Sequence, residues 1–352
     1  MNGRADDVRP RASARVRAAG SRRNEYASVF IDSASTQSVV FDEQLVPEST
    51  LSLDHYSNTS DLQGGYMNNI LAAGLLRQKC EDARSRAKEY VITYLDEKHL
   101  PLVMKLQEVI LQNLARPDLL QSFSYDFMKR HMGPKGVVLG VFVEKRLVAF
   151  RNLYFPDSWE AEWNLGLDLG LPEEELAYVA NLQMVCVHPS FRGNSLALKM
   201  NQTSLGLLRE KGVHHHICAT VSPYNIWNIP VLLTSGFRIA KLKNKYGGKI
   251  RYVVHQDLRQ SLHFSDRSAV QVRLDDLDAQ QQLFDAGFYG VALSKRENAA
   301  PHNPAGGFNL TLKTPVGKQT APLDLAMPAW WSWPLKTDGM RAPDAYSTGN
   351  AR

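Results

Sequence analysis

Residues 184–197, Met-Val-Cys-Val-His-Pro-Ser-Phe-Arg-Gly-Asn-Ser-Leu-Ala, constrain the fold more than any other stretch of this chain. A hydrophobic strand runs into a turn marked by Pro189, and a basic loop of small residues opens directly onto an apolar-periodic helix. That order leaves unbonded backbone N–H groups at a helix N-terminus, a setting that suits a bound phosphate. Arg192 adds a fixed positive charge, and Gly193 allows close approach of the main chain.

The elements around this loop alternate. Residues 67–89 read as a helix with an apolar stripe of Met67, Ile70, Leu71, Leu75 and Leu76, and 90–95 alternates as a strand. Residues 100–114 form a strongly amphipathic helix, and Pro117-Asp118 marks the start of a second, running through Phe127. Strands 136–143 and 147–154 make a hairpin across Glu144-Lys145-Arg146, and 156–176 is an insertion rich in Trp and acidic residues. Then come strand 178–187, helix 194–210, strand 213–221, helix 224–235 and strands 237–243 and 250–256. The pattern predicts an α/β domain (α+β, with a mixed sheet) over 66–258. Past 258, strand 270–274, a helix through Leu283-Phe284 and strand 288–293 predict a small C-terminal βαβ appendage over 259–294. Residues 1–65 are expected to be a disordered basic and polar leader. Residues 295–352 are expected to be a flexible tail in which Trp330-Trp331-Ser332-Trp333 docks on something.

The formal net charge of +5 is local. Residues 1–24 hold seven arginines and two aspartates, which leaves 34 basic against 34 acidic residues for the rest of the 352. No aromatic residues interleave with those arginines, so nucleic acid is not the expected partner, and Asp6 and Asp7 argue against a transit peptide. No stretch is apolar enough for a membrane helix, so no membrane association is expected. Cys80, Cys186 and Cys218 form neither a disulfide framework nor a zinc spacing, which points to a reducing cytoplasm. Cys186 and Cys218 read as small core residues. Alternation along a strand places His214 and His216 on one face and His215 on the other, and no third ligand stands at suitable spacing, so no metal is expected.

Three segments together resemble the GNAT superfamily of acyl-CoA-dependent N-acyltransferases across residues ~88–258, about half the chain. They are Val187-His188-Pro189-Ser190-Phe191-Arg192-Gly193-Asn194-Ser195-Leu196-Ala197, Thr220-Val221-Ser222-Pro223-Tyr224-Asn225, and Ser235-Gly236-Phe237. The resemblance implies a GNAT-like fold with a splayed central sheet. It implies that acyl-CoA, most simply acetyl-CoA, lies in the cleft, with its pantetheine arm on the main chain of Met184, Val185, Cys186 and Val187. Its pyrophosphate would rest on the N–H groups of Arg192, Gly193, Asn194, Ser195, Leu196 and Ala197. Ser195 stands where the family usually has Gly, and is itself a good helix-start residue able to donate its hydroxyl.

The implied reaction is direct acyl transfer to an amine-bearing acceptor, as in an N-acetyltransferase. The family's usual proton-donating Tyr is replaced here by Leu232, leaving Tyr224 and Ser222 as the nearest hydroxyls and Asn225 in a positioning role. Glu160, Glu162 and Glu173–Glu175 are either base candidates or a solvated acidic face. Trp159, Trp163, Phe123 and Tyr125 suggest an apolar component in the acceptor pocket. The alternative reading is a catalytically inactive GNAT-like module that binds acyl-CoA or a protein partner.

Overall fold

Gln107 on the first helix clamps Phe123 on the chain beyond it, its amide donating to the Phe123 carbonyl at 2.9 Å and accepting from the Phe123 N–H at 3.0 Å. The computed structural model describes residues 70–78, 87–297 and 305–320, all within the unit Val46–Arg352. The expected leader, Cys80 and the Trp-rich stretch at 330–333 lie outside the described residues.

In chain order the elements are β1 (Ile70–Arg77), β2 (Ala87–Leu95), α1 (Leu100–Gln112), α2 (Tyr125–Arg130), β3 (Gly136–Val143), β4 (Arg146–Tyr154) and α3 (Leu165–Leu169). There follow β5 (Val179–Val187), α4 (Leu196–Lys211), β6 (His216–Val221), α5 (Asn228–Thr234), β7 (Arg238–Lys245) and β8 (Lys249–Asp257). The last are β9 (Gln260–Phe264), β10 (Val270–Arg273), α6 (Leu277–Asp285), β11 (Tyr289–Lys295), β12 (Phe308–Lys313) and β13 (Pro315–Thr320). Eleven strands form one mixed sheet in the order β1-β2-β3-β4-β5-β6-β8-β7-β11-β12-β10, and β13 pairs with β9 separately. The mixed α/β sheet expected from the sequence is present, and its two parallel strands separate.

The splay has a definite position. β5 and β6 run parallel and pair at Val179, Ala180 and Asn181 with His216, Ile217 and Cys218, and nowhere beyond. β5 stays with β4 as far as Ala149–Val187, while β6 stays with β8 as far as Val221–Tyr252. Between Leu182 and Met184 the β4 register shifts by one residue, which makes Gln183 a bulge. A bulge bends and over-twists its strand. It sits where β5 leaves β6, and so opens a wedge at the C-terminal ends of the two strands.

Two apolar layers cover the sheet. α1 and α2 pack against Val138, Phe150, Met184 and Cys186 on one face. α4 and α5 pack against Ala149, Leu153, Leu182 and Ala219 on the other. A completely buried side chain such as Phe150 contributes on the order of 1.5–3 kcal/mol.

Three expectations need correcting. The helix predicted over 67–89 is the edge strand β1, paired antiparallel with β2. Its short apolar run suits either period, and an available sheet edge decided the matter. Gly74 also favours the strand, since the Tyr90 ring lies 3.0 Å from where a Cβ would stand. The helix predicted from Pro117 is one turn at Pro117–Leu119 followed by extended chain. α2 begins only where Ser124 Oγ accepts from the Phe127 N–H at 3.2 Å. Finally, 305–320 is not a tail. β12 enters between β10 and β11, antiparallel to both, and so splits the expected βαβ appendage. Its alternation over six residues is weak local evidence, and the pairing that fixes it is non-local. The appendage meets the main sheet through Gly290 on β11 opposite Ile239 on β7.

Candidate functional site

β5 brings Met184, Val185, Cys186 and Val187 along one wall of the wedge, where no described strand pairs with that edge. The chain then makes one tight turn at Pro189–Phe191 and reaches α4 through Arg192–Ser195. Gly193 has φ +88° and Ser195 has φ 56°, ψ 24°. Ser195 thus adopts a backbone conformation that favours glycine. Contrary to expectation, Ser195 makes no side-chain cap on α4, because this left-handed conformation departs from the extended backbone of a normal N-cap. The N–H groups of Gly193, Asn194, Ser195, Leu196 and Ala197 therefore make no hydrogen bond among the described residues. Arg192 differs from the expected set, because its N–H bonds to the Pro189 carbonyl at 3.2 Å.

Asn194 acts through its side chain as a brace. It bonds the N–H and carbonyl of Arg77 on β1 at 2.7 and 2.6 Å, and its Nδ2 also donates to the Phe191 carbonyl at 3.0 Å. Lys199 Nζ reaches the Asn194 carbonyl at 3.4 Å and lies 5.3 Å from the centre of the Tyr90 ring. Half-burial draws the Lys199 ammonium below its ordinary value.

The opposite wall is the end of β6 and the turn after it. Ser222 is buried, and its Oγ accepts from the Tyr224 N–H at 3.3 Å. Asn225 Oδ1 accepts from the Asn228 N–H at 3.1 Å, at the start of α5. Both side chains shape the turn. Tyr224 remains partly exposed, with the Arg116 guanidinium 4.0 Å over its ring. Sequence reasoning missed Arg116, because it arrives from the loop between α1 and α2. Asp118 forks onto it at 3.0 Å through both oxygens. The same loop is tied to β8, with Arg251 donating to the Asp118 carbonyl at 2.6 Å and Lys249 to Gln121 at 2.9 Å.

Behind the bulge, on the α1 face, stands an aromatic group. Phe127 stacks on Phe123 at 4.5 Å, and Trp163 lies 4.9 Å from Phe127, 6.1 Å from Phe123 and 5.7 Å from Tyr246. Of the four aromatics expected here, Phe123 and Trp163 are brought together, whereas Trp159 and Tyr125 are exposed. Tyr246 joins them from the β7–β8 turn, its hydroxyl 3.1 Å from Thr220 Oγ1. Asn181, the last β5 residue paired with β6, donates to the Trp163 carbonyl at 2.6 Å, and its buried Oδ1 has no donor among the described residues. One polar residue inside the run Val-Ala-Asn-Leu was the signal that could have found it. Nearby, His131 is buried against Tyr154 and accepts from Asn152 Nδ2 at 2.6 Å. Burial pulls its pKa down to about 4.

The acidic candidates separate by contact. Glu162, Glu173 and Glu174 are exposed, as a solvated face would be. Glu160 accepts from the Tyr154 hydroxyl at 2.6 and 2.7 Å and from the Asp157 N–H at 2.8 Å. Glu175 Oε2 lies 2.8 Å from His215 Nε2 and 3.1 Å from His216 Nε2. His214 and His216 do not share a strand face as expected. β6 begins only at His216, so the strand alternation does not reach back to its neighbours. His214 instead stacks on Phe155 at 4.3 Å, where burial lowers it to about 4. Cys186 and Cys218 are buried core residues, and desolvation raises both thiols, Cys186 to about 12.

No protein-family model matches the chain, and no curated protein matches it. Among solved structures it is similar to an aminoglycoside acetyltransferase in complex with coenzyme A and kanamycin (15% identity, 48% of this chain and 94% of that chain, TM-score 0.35). It is also similar to a GNAT-family acetyltransferase from Listeria monocytogenes (17% identity, 48% and 95%, TM-score 0.37). A third is the ribosomal-protein-S18-alanine N-acetyltransferase of Escherichia coli (15% identity, 47% and 91%, TM-score 0.34). At these identities the likeness is one of fold alone. No helix among the described residues is long and apolar enough to cross a membrane.

Proposed function

We propose that this chain transfers an acyl group, most simply acetyl, from acyl-CoA to an amine. One observation carries the reading: among the described residues, an unpaired edge of β5 leads, through one tight turn, to five consecutive N–H groups with no hydrogen bond at the start of α4. Such an edge suits the amide groups of a pantetheine arm, much as a peptide adds to a sheet edge. The N-terminus of a sixteen-residue helix suits the diphosphate, and the helix dipole adds on the order of 0.3–1 kcal/mol per anionic group at an exposed site.

The wedge passes between the two faces of the sheet. A thioester held along β5 would present its carbonyl near the bulge, with Tyr224 on the facing wall and the Trp163–Phe123–Phe127 group on the α1 side. The lone pair of a neutral amine attacks that carbonyl, a C–N bond forms, the C–S bond breaks, the thiolate takes a proton, and the nitrogen gives up one of its own to water, which restores the proton balance. Tyr224 is the residue proposed to give that proton, since Ser222 and Asn225 are engaged in the turn. The orphaned Asn181 Oδ1 is a ready acceptor for an N–H of the incoming amine.

The direct test is calorimetric titration of the full-length protein with CoA, followed by acetyl-CoA turnover over a panel of amines. CoA binding that is weakened at least tenfold by Gly193→Val, together with turnover of any amine, is the expected result. Absence of CoA binding would reject it. Tight CoA binding with no turnover of any donor or amine would favour a non-catalytic acyl-CoA-binding module, a reading motivated by Leu232 standing where the family's Tyr is expected.

A further inference from the structure

Glu175, His215 and His216 stand at the end of β5 and β6 opposite the wedge, where the two strands are still paired. We propose that these three side chains form a zinc site that clamps the turn before β5 to the start of β6. It is independent of the acyl-transfer reading, since a nine-residue strand separates the two places by roughly 25–30 Å.

The donor set is imidazole, imidazole and carboxylate, the chemistry zinc takes. One donor atom from each residue lies within 4.8 Å of the others. Bond lengths of about 2.0–2.2 Å in a tetrahedral arrangement put donor atoms about 3.3 Å apart. The two measured separations, 2.8 and 3.1 Å, lie within a few tenths of an ångström of that. The local chain explains how adjacent histidines converge. His215 precedes β6 and is held by its N–H on the Tyr178 carbonyl and its carbonyl on the Leu258 N–H. Its ring stacks on Tyr178 at 4.8 Å. His216, the first β6 residue, is buried.

A second layer is also in place. His216 Nδ1 lies 3.1 Å from His255 Nε2, so His216 can donate there and turn its Nε2 lone pair toward an ion. Metal-bound histidines characteristically use their second nitrogen in this way. The partly exposed Glu175 and His215 side chains leave the fourth position to water.

Arg259 is the competing cation. Its guanidinium lies 3.3 Å from Glu175 Oε1 and 3.4 Å from His216 Nε2. It is also bonded to Asp257 at 3.3 and 3.4 Å and is about half exposed. Zinc binding requires it to withdraw onto Asp257, so removing its charge should strengthen the site.

The test is titration of the metal-free full-length protein with zinc chloride, read by calorimetry and by thermal melting with and without EDTA. One zinc per chain, a higher melting temperature with zinc, loss of saturable binding in Glu175→Gln and His215→Gln, and tighter binding in Arg259→Gln are expected. Both ligand variants change partly exposed side chains, and circular dichroism checks that they fold. Absence of stoichiometric zinc binding by the wild-type chain, or binding unchanged in both ligand variants, overturns the site.

Discussion

Asn194 holds both main-chain groups of Arg77, accepting from its N–H at 2.7 Å and donating to its carbonyl at 2.6 Å. An amide side chain thus acts as one more rung of β1 and fixes the loop that leads into α4. Asn194→Ala removes these bonds and the one to Phe191. The bonds are partly solvent-exposed, and their combined loss should cost about 1–3 kcal/mol. Chemical denaturation should report that loss, and calorimetry should report several-fold weaker CoA binding. An unchanged midpoint would mean that the loop keeps its shape unaided.

Ser195 bears a side chain on a left-handed backbone, which costs roughly 1–2 kcal/mol for a residue other than glycine. Ser195→Gly should therefore raise the unfolding free energy by about 0.5–1 kcal/mol while leaving CoA affinity equal or better. Ser195→Val should do the opposite on both counts. A destabilised glycine variant would show that the serine hydroxyl makes a compensating contact.

Tyr224 lies under the Arg116 guanidinium, which excludes water from one face of the ring. If its hydroxyl gives the thiolate its proton, Tyr224→Phe should lower kcat by about 10²–10⁴ with little change in KM for acyl-CoA. A KM effect without a kcat effect would make Tyr224 a wall of the cleft and assign the proton elsewhere.

His131 and His214 are both held neutral by burial, at about 4. The unfolded chain takes up protons at these positions below about pH 6.5, where the native chain still refuses them. Stability should therefore be intact above pH 6.5 and decline as the pH falls toward 4. His131 contributes on the order of 3 kcal/mol to that decline, and the more exposed His214 contributes less. Urea melts between pH 7.5 and 4.5 read the slope. His131→Gln, which keeps a neutral hydrogen-bonding side chain, should flatten it.

Much of the central domain was legible as local pattern. The hairpin β3–β4, the order β5-α4-β6-α5-β7-β8 and the loop at Arg192–Ser195 all carry their own signals: apolar alternation, helical spacing, and Pro and Gly at the turns. β1 and β12 were not legible. Ile70–Arg77 suits a helix as well as a strand, and Phe308–Lys313 lies in a segment of loop-like composition. Each becomes a strand because an edge elsewhere in the chain supplies its hydrogen bonds.

The site divides in the same way. Backbone chemistry could be read from residue type, because glycine, proline and a helix start restrict the main chain wherever they occur. Side-chain partnerships could not. Arg116 over Tyr224, Trp163 beside Tyr246, and Glu175 with His215 join residues 108, 83 and 40 positions apart, and no local pattern records such distances. The linear chain set where strands turn into helices and where backbone N–H groups go unbonded, since those are short-range steric matters. Folding alone decided which side chains meet across the wedge and at its closed end, because those meetings depend on strand register and on a single bulge at Gln183.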